Sequence, residues 1–167
     1  AKKEQEAVAA IERLGGMVRW RVDFPEEAGG RASPRKLFAD DELRHSYHVV
    51  IYSDAAIAYL ADLTRLQRVL LVGPAVTDAG LENIKGLTHL PKLGLNGAQV
   101  TDAGLVHLSG LTELKHLYLP GTQVTDAGLA HLEALTQLEG LWLNSTQVTD
   151  AGLVHLKALT QLKMLSL

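Results

Sequence analysis

From about Ser53 onward, the apolar positions of the chain fall into two alternating rhythms. Leu93 and Leu95 alternate with polar or small neighbours, the period of a strand. Leu105, Leu108, Leu111 and Leu114 fall three apart, which predicts one stripe of a short helix. This two-part unit recurs. Leu66-x-x-Val69-x-Leu71 is followed by Leu90-x-x-Leu93-x-Leu95, Leu114-x-x-Leu117-x-Leu119, Leu138-x-x-Leu141-x-Leu143 and Leu162-x-x-Leu165-x-Leu167. Between them Thr77-Asp78-Ala79-Gly80-Leu81 returns at Thr101–Leu105, Thr125–Leu129 and Thr149–Leu153, in steps of 24 residues. A fainter copy, Ser53-Asp54-Ala55-Ala56-Ile57, leads into Leu60, Leu63 and Leu66.

A unit of strand, turn and short helix cannot bury its apolar face alone, so units must stack. Strands in register sit about 4.8 Å apart and helices about 8–10 Å, so the stack must curve. The predicted fold class is an α/β solenoid, its parallel sheet concave and its helices convex. The Thr of each motif, or the Asp after it, suits a helix N-cap, and the carboxylate favours the positive helix end. The motif glycine sits where propensity disfavours it and is read as allowing close approach of neighbouring backbone. Thr122 and Thr146 stand where a hydroxyl can bond the next coil's backbone. Ala98 and Pro74 interrupt that ladder.

The pattern Leu-x-x-Leu-x-Leu-x-x-Thr-x-Val-Thr-Asp-Ala-Gly-Leu resembles the leucine-rich repeat family. It is close to the subclass that places Cys where Thr122 and Thr146 stand. The likeness covers about two thirds of the chain. It implies a right-handed horseshoe scaffold whose usual work is binding another protein, and it implies no catalytic residues and no cofactor.

Residues 1–52 differ and are expected to form an N-terminal α+β cap, with the solenoid at 53–167. Ala7, Val8, Ile11 and Leu14 form one apolar stripe of a helix over about Lys3–Leu14, and Gly15-Gly16 is a natural C-cap. Val18, Trp20, Val22 and Phe24 alternate with charged residues as a half-buried strand. Residues 25–36 read as a loop, and His48–Tyr52 as another strand. Six of the eight aromatics lie before residue 66, and the cap reading has them cover the first coil's leucines. This helix-Gly-Gly-strand start also resembles the leaders of some bacterial proteins with this repeat. The alternative is an independent catalytic or signalling domain with His45 and His48 as acid–base groups, for which the segment is small.

Composition sharpens this reading. Thirty-one leucines make a core from one side chain used repeatedly. A net charge of −3 sits poorly with phosphate neutralisation, so no nucleic-acid partner is expected. No apolar run spans a bilayer, so no membrane insertion is expected. The absence of cysteine removes disulfides and thiolate metal sites. No dinucleotide, phosphate-loop, zinc-protease or serine-hydrolase motif is present.

Binding residues are therefore sought on the outward strand positions. One row reads Arg68, Lys92, His116, Gly140, Met164. The next reads Leu70, Gly94, Tyr118, Trp142, Ser166, and a third Val72, Asn96, Pro120, Asn144. Tyr118 and Trp142 share a repeat position in adjacent coils and should stand side by side as interface anchors. Arg68, Lys92, His116, Tyr118, Trp142 and Asn144 form the candidate ligand-binding set on the concave face. Asn144-Ser145-Thr146 matches the glycosylation sequon, which would mask this patch in a eukaryotic secretory route. Two other rows need no function. His107, His131 and His155 could bridge a metal, and Asp78, Asp102, Asp126 and Asp150 could hold calcium, but copying and helix capping account for them. The sequence ends within a strand at Leu167, so the expectation includes a longer solenoid or a homodimer through residues 162–167. The functional expectation is a non-enzymatic scaffold for a protein or peptide. The alternative is a structural segment that stacks or dimerises through its open C-terminal edge.

Overall fold

The computed structural model describes residues 2–22, 45–63 and 65–167. Helix α1 (Lys2–Arg13) leads into strand β1 (Met17–Val22). Six further strands follow: β2 (His45–Ile51), β3 (Leu66–Val72), β4 (Lys92–Asn96), β5 (His116–Tyr118), β6 (Gly140–Trp142) and β7 (Met164–Ser166). All seven join one sheet in chain order. The sheet is mixed. β2 to β7 pair in parallel, as a coiled repeat requires, but β1 runs antiparallel to β2. The parallel expectation thus holds for the repeats and fails for the first strand, which the 24-residue step does not reach.

One core runs through the molecule from Ala7 to Leu159. Val69, Leu93, Leu117 and Leu141 are fully buried and directly paired across β3–β6. The strand leucines therefore stack as columns, and each coil covers the face of the one before. At the start, Ala7, Val8, Ala10 and Ile11 are buried, and α1 packs on the first coil's helical segment. Leu14 departs from the expected stripe and is exposed. The helix ends at Arg13. The Gly16 N–H then donates to Ile11 O at 2.9 Å and the Gly15 N–H to Glu12 O at 3.1 Å. That double closure needs a left-handed residue, and Gly15 supplies φ +82°. The turn carries Leu14 off the core face. The aromatic covering is also narrower than expected. Tyr47 is buried, Tyr52 and Tyr59 are exposed, and Phe24, Phe38 and the side chain of Trp20 lie outside the described residues, as does the loop at 25–36.

The helical halves are tighter than an α-helix. Four-residue α-turns α2 (Asp54–Ile57), α3 (Asp78–Leu81) and α4 (Asp102–Leu105) each run into a 3₁₀ segment. In the later coils Asp126–Leu132 and Asp150–Ala158 are 3₁₀ throughout. A leucine spacing of three is the 3₁₀ period, and it puts Leu105 and Leu108 on one line into the core. Leu111 and Leu114 continue that line in the following turn and are equally buried.

The Thr-Asp-Ala-Gly-Leu motif ties coils together. Thr101 caps its helix by accepting from the Ala103 N–H at 3.2 Å. Its own N–H and hydroxyl donate to Asp78 of the preceding coil at 2.8 and 2.7 Å. The same two bonds join Thr77 to Asp54, Thr125 to Asp102 and Thr149 to Asp126. Each Asp therefore acts less on its own helix end than on the next coil. The Thr149 hydrogen bonds, backbone then side chain, hold the Asp126 carboxyl below its usual range. The glycine belongs to the same device. A Cβ on Gly104 would collide with the Asp78 carboxylate, and one on Gly128 with that of Asp102. What approaches closely is chiefly a neighbour's carboxylate, where backbone was expected. The Thr122 and Thr146 hydroxyls donate within their own coil, to Leu119 O at 2.8 Å and Leu143 O at 2.6 Å. They close the turn after the strand and do not reach the next coil.

Candidate functional site

The leucine columns fix which residues face away from the core. With Leu93, Leu117 and Leu141 paired and inward, the residues one before and one after them point outward. Lys92, His116, Gly140 and Met164 pair in succession, and so do Leu70, Gly94, Tyr118, Trp142 and Ser166. Arg68 immediately precedes the Val69–Leu93 pair and stands opposite His48. Of the outward rows expected from the sequence, the second pairs throughout, the first from Lys92 to Met164, and the third at Val72 and Asn96.

Tyr118 and Trp142 stack with ring centroids 4.1 Å apart and planes 11° apart. In-register parallel strands about 4.8 Å apart place identical positions at stacking distance, so two rings with the same side-chain direction must lie face to face. The His116 ring is tilted against Trp142, with centroids 6.0 Å apart. Gly140 makes this possible. A Cβ there would stand 2.5 Å from Trp142 Cη2 and 3.0 Å from His116 Nδ1. The indole thus leans back along its own strand into space that any side chain would take. On the other side of Tyr118, the Arg68 guanidinium carbon lies 5.9 Å from the phenol centroid. Leu70 leans over Gly94, where a Cβ would meet Leu70 Cδ2 at 2.6 Å. The result is an apolar ridge, Leu70, Tyr118 and Trp142, lying across the strands. Arg68, Lys92 and His116 run along one side of it, and Asn96 and Asn144 along the other. The two glycines were visible as gaps in the rows. Their effect depends on rotamers, which spacing does not carry.

The electrostatics of this face are one-sided. None of its outward rows holds an acidic residue, although the chain has 19 Asp and Glu against 16 Lys and Arg. Among the described residues neither Arg68 nor Lys92 is paired with a carboxylate. Arg68 Nε and His116 Nδ1 are buried without a hydrogen-bond partner among those residues. Burial lowers the His116 pKa below its ordinary value, and Lys92 lowers it further. At neutral pH the ring is uncharged, and Arg68 and Lys92 are the cations of the row. Asn144 is partly committed: its amide donates to Ser166 Oγ at 2.8 Å and Leu167 O at 3.1 Å.

The remaining candidates assemble into no site. Among the described residues no group of three or more His, Asp or Glu could hold a metal ion. In the histidine row, His155 bonds Glu133 at 2.8 Å. Asp78, Asp102 and Asp126 spend their oxygens on threonines of the next coil. His48 lies in β2 opposite Arg68, and the side chain of His45 lies outside the described residues. A cavity of about 220 Å³ lies between the first two coils, lined by Ala61, Leu63, Leu66 and residues 86–90. Its titratable lining residue, His89, is exposed and bonded to Glu113 at 2.7 Å. No helix among the described residues is long and apolar enough to cross a membrane.

No family model matches the sequence, and no curated protein matches it either. Solved structures do. Internalin C2 of Listeria monocytogenes is 26% identical over 65% of this chain and 45% of its own, with a TM-score of 0.52. A second internalin of that organism, InlF, is 22% identical over 71% of this chain and 40% of its own, with a TM-score of 0.47. The chain therefore spans less than half the length of either internalin. The leucine-rich repeat ectodomain of the receptor kinase SOBIR1 from Arabidopsis thaliana is 13% identical over 99% of this chain and 92% of its own, with a TM-score of 0.52. A bacterial and a plant protein so different in sequence share the strand-and-turn coil seen here, and the fold of this chain is the α/β leucine-rich repeat fold.

Proposed function

We propose that this chain is a non-enzymatic interaction module that holds a protein or peptide on the concave, outward face of its sheet. The observation that carries the reading is the Tyr118–Trp142 stack. Two large rings contribute little to the core from that position, and aromatic anchors flanked by Arg are what interface centres are made of. The site is Arg68, Lys92, His116, Tyr118 and Trp142, with Asn144 at its margin. Residues 1–52 serve as the cap of a solenoid running over 53–167, of the 24-residue type near the cysteine-containing subclass. A nucleic acid is not the proposed partner, because two neutral-pH cations are too few to neutralise a phosphate backbone.

The test is a paired capture experiment. The wild-type chain, a Tyr118→Ala/Trp142→Ala variant and a helix-side control, Val106→Asp/Val154→Asp, serve as baits after a folding check. Both valines of the control are exposed. A partner held by wild type and control and lost by the aromatic variant supports the proposal. A partner lost only by the control would move the site to the helices.

A second reading is favoured by one contrast. Leu165 and Leu167 are 42% and 55% exposed, whereas Leu141 and Leu143 in the preceding coil are 0% and 1%. The second reading has residues 162–167 stack on another coil or dimerise with a second copy. Sedimentation velocity of a Leu165→Lys/Leu167→Lys variant separates this reading. Self-association present in wild type and lost in the variant supports it, and a monomeric wild type refutes the dimer.

A further inference from the structure

We propose that the partner segment is an acidic, extended peptide that lies across strands β3 to β6, its apolar side chains on the ridge and its carboxylates on the Arg68–Lys92 row. This rests on the interaction-module reading and names the chemistry of its ligand. Three observations point the same way. First, charge is segregated. The chain is net negative, yet its outward sheet rows carry cations and no carboxylate. The nearby Glu139 is not available to balance them, since it is bonded to Lys163 at 2.8 Å. Second, Arg68 has no hydrogen-bond acceptor among the described residues. Its guanidinium rests by the Tyr118 ring while its Nε is buried and unpartnered. An incoming carboxylate would pair with the terminal nitrogens of the guanidinium, in the charge-assisted geometry that suits it. Third, the shape is a line. Leu70, Tyr118 and Trp142 occupy successive equivalent positions apart from the Gly94 gap. Three strand spacings are about 14 Å, which an extended segment covers in about four to five residues. Such a segment places alternate side chains toward the ridge and toward the cationic row, so the fitting sequence alternates apolar and acidic residues.

The experiment is selection of peptide binders from a random eight-residue library displayed against the folded chain, followed by affinity measurement with synthetic, dye-labelled peptides from the enriched pool. The expected pool is rich in Asp and Glu alternating with Phe, Trp or Leu. An Arg68→Gln/Lys92→Gln variant should bind these peptides at least about tenfold more weakly, and raising salt from about 0.05 to about 0.5 M should reproduce most of that loss. A pool that is neutral or basic, still depends on Tyr118 and Trp142 and ignores Arg68→Gln/Lys92→Gln would overturn the acidic assignment and leave the interaction module standing. A pool equally well bound by Tyr118→Ala/Trp142→Ala would overturn both, and no enrichment would overturn the peptide assignment. Displacement of the enriched peptides by heparin with a higher affinity than any peptide would assign the face to a sulfated polysaccharide instead.

Discussion

The two faces of each strand make opposite use of the same repeat. On the inner face, Leu93, Leu117 and Leu141 are the same side chain at the same depth, each fully buried. On the outer face, the neighbouring position reads Lys92, His116 and Gly140, and the next Gly94, Tyr118 and Trp142. A column in the core must fit the column beside it, so one shape repeated is a solution that packs without gaps. The outer face has no such constraint, because water fits any side chain. What varies there is free to fit a ligand, and what repeats within is committed to the fold.

The largest effects should come from the inner face. Leu117→Ala removes a fully buried side chain between two neighbours of the same kind and should cost about 2–5 kcal/mol, read from urea unfolding. An effect below about 1 kcal/mol would mean that the columns are loosely packed.

The rung between coils comes next. Gly104→Val should destabilise by roughly 1–3 kcal/mol through overpacking against Asp78. A double-mutant cycle sharpens the cause. Gly104→Ala should cost less in an Asp78→Ala background than in wild type, with a coupling of about 0.5–3 kcal/mol. Additive costs would return the glycine to a purely backbone role.

On the outer face the balance should reverse. Tyr118→Ala/Trp142→Ala should lower stability by no more than roughly half the Leu117→Ala effect, since the lost stacking is worth about 0.5–1.5 kcal/mol, while abolishing partner capture. Gly140→Ala should displace the indole and quench or shift its fluorescence without lowering the unfolding midpoint comparably. An unchanged spectrum would contradict the leaning geometry.

The smallest effect is pH dependence. The His116 pKa is lowered in the folded chain, by burial first and by Lys92 next, with Lys115 and Lys163 adding to the shift and Glu139 opposing it. The folded state therefore binds a proton less readily than the unfolded chain. Stability should be full above the ordinary histidine value of 6.5 and fall as pH drops through the lowered folded value. His116→Gln should flatten this limb of a stability–pH curve. Asp126 gives a separate, more acidic limb. Its carboxyl is held low by Thr149, so its contribution is present above the ordinary value of 3.8 and lost as pH falls through the folded one.

The leucine pattern made the fold legible because each inward residue reports only its own depth. The outward rows followed for the same reason, and so did the side-by-side placement of Tyr118 and Trp142. What escaped was whatever depends on which side-chain atoms meet once the chain is folded. Asp78 looks like a helix-end charge in sequence, and its bond to Thr101, 23 residues on, exists only when one coil lies on another. Gly140 looks like a gap, and only the rotamer of Trp142 shows what fills it. The spacing of three predicts a short helix, and the structure makes it an α-turn running into a 3₁₀ segment in the earlier coils and 3₁₀ throughout in the later ones.

The most direct test of the central claim is one substitution scan of β4, β5 and β6 that reads protease resistance and partner capture on the same samples. The account predicts two separated classes. Substitutions at Leu93, Leu117 and Leu141 lose protease resistance. Substitutions at Lys92, His116, Tyr118 and Trp142 keep it and lose capture. Outward substitutions that unfold the chain as readily as the leucines, or that leave capture intact, would contradict the division between the two faces.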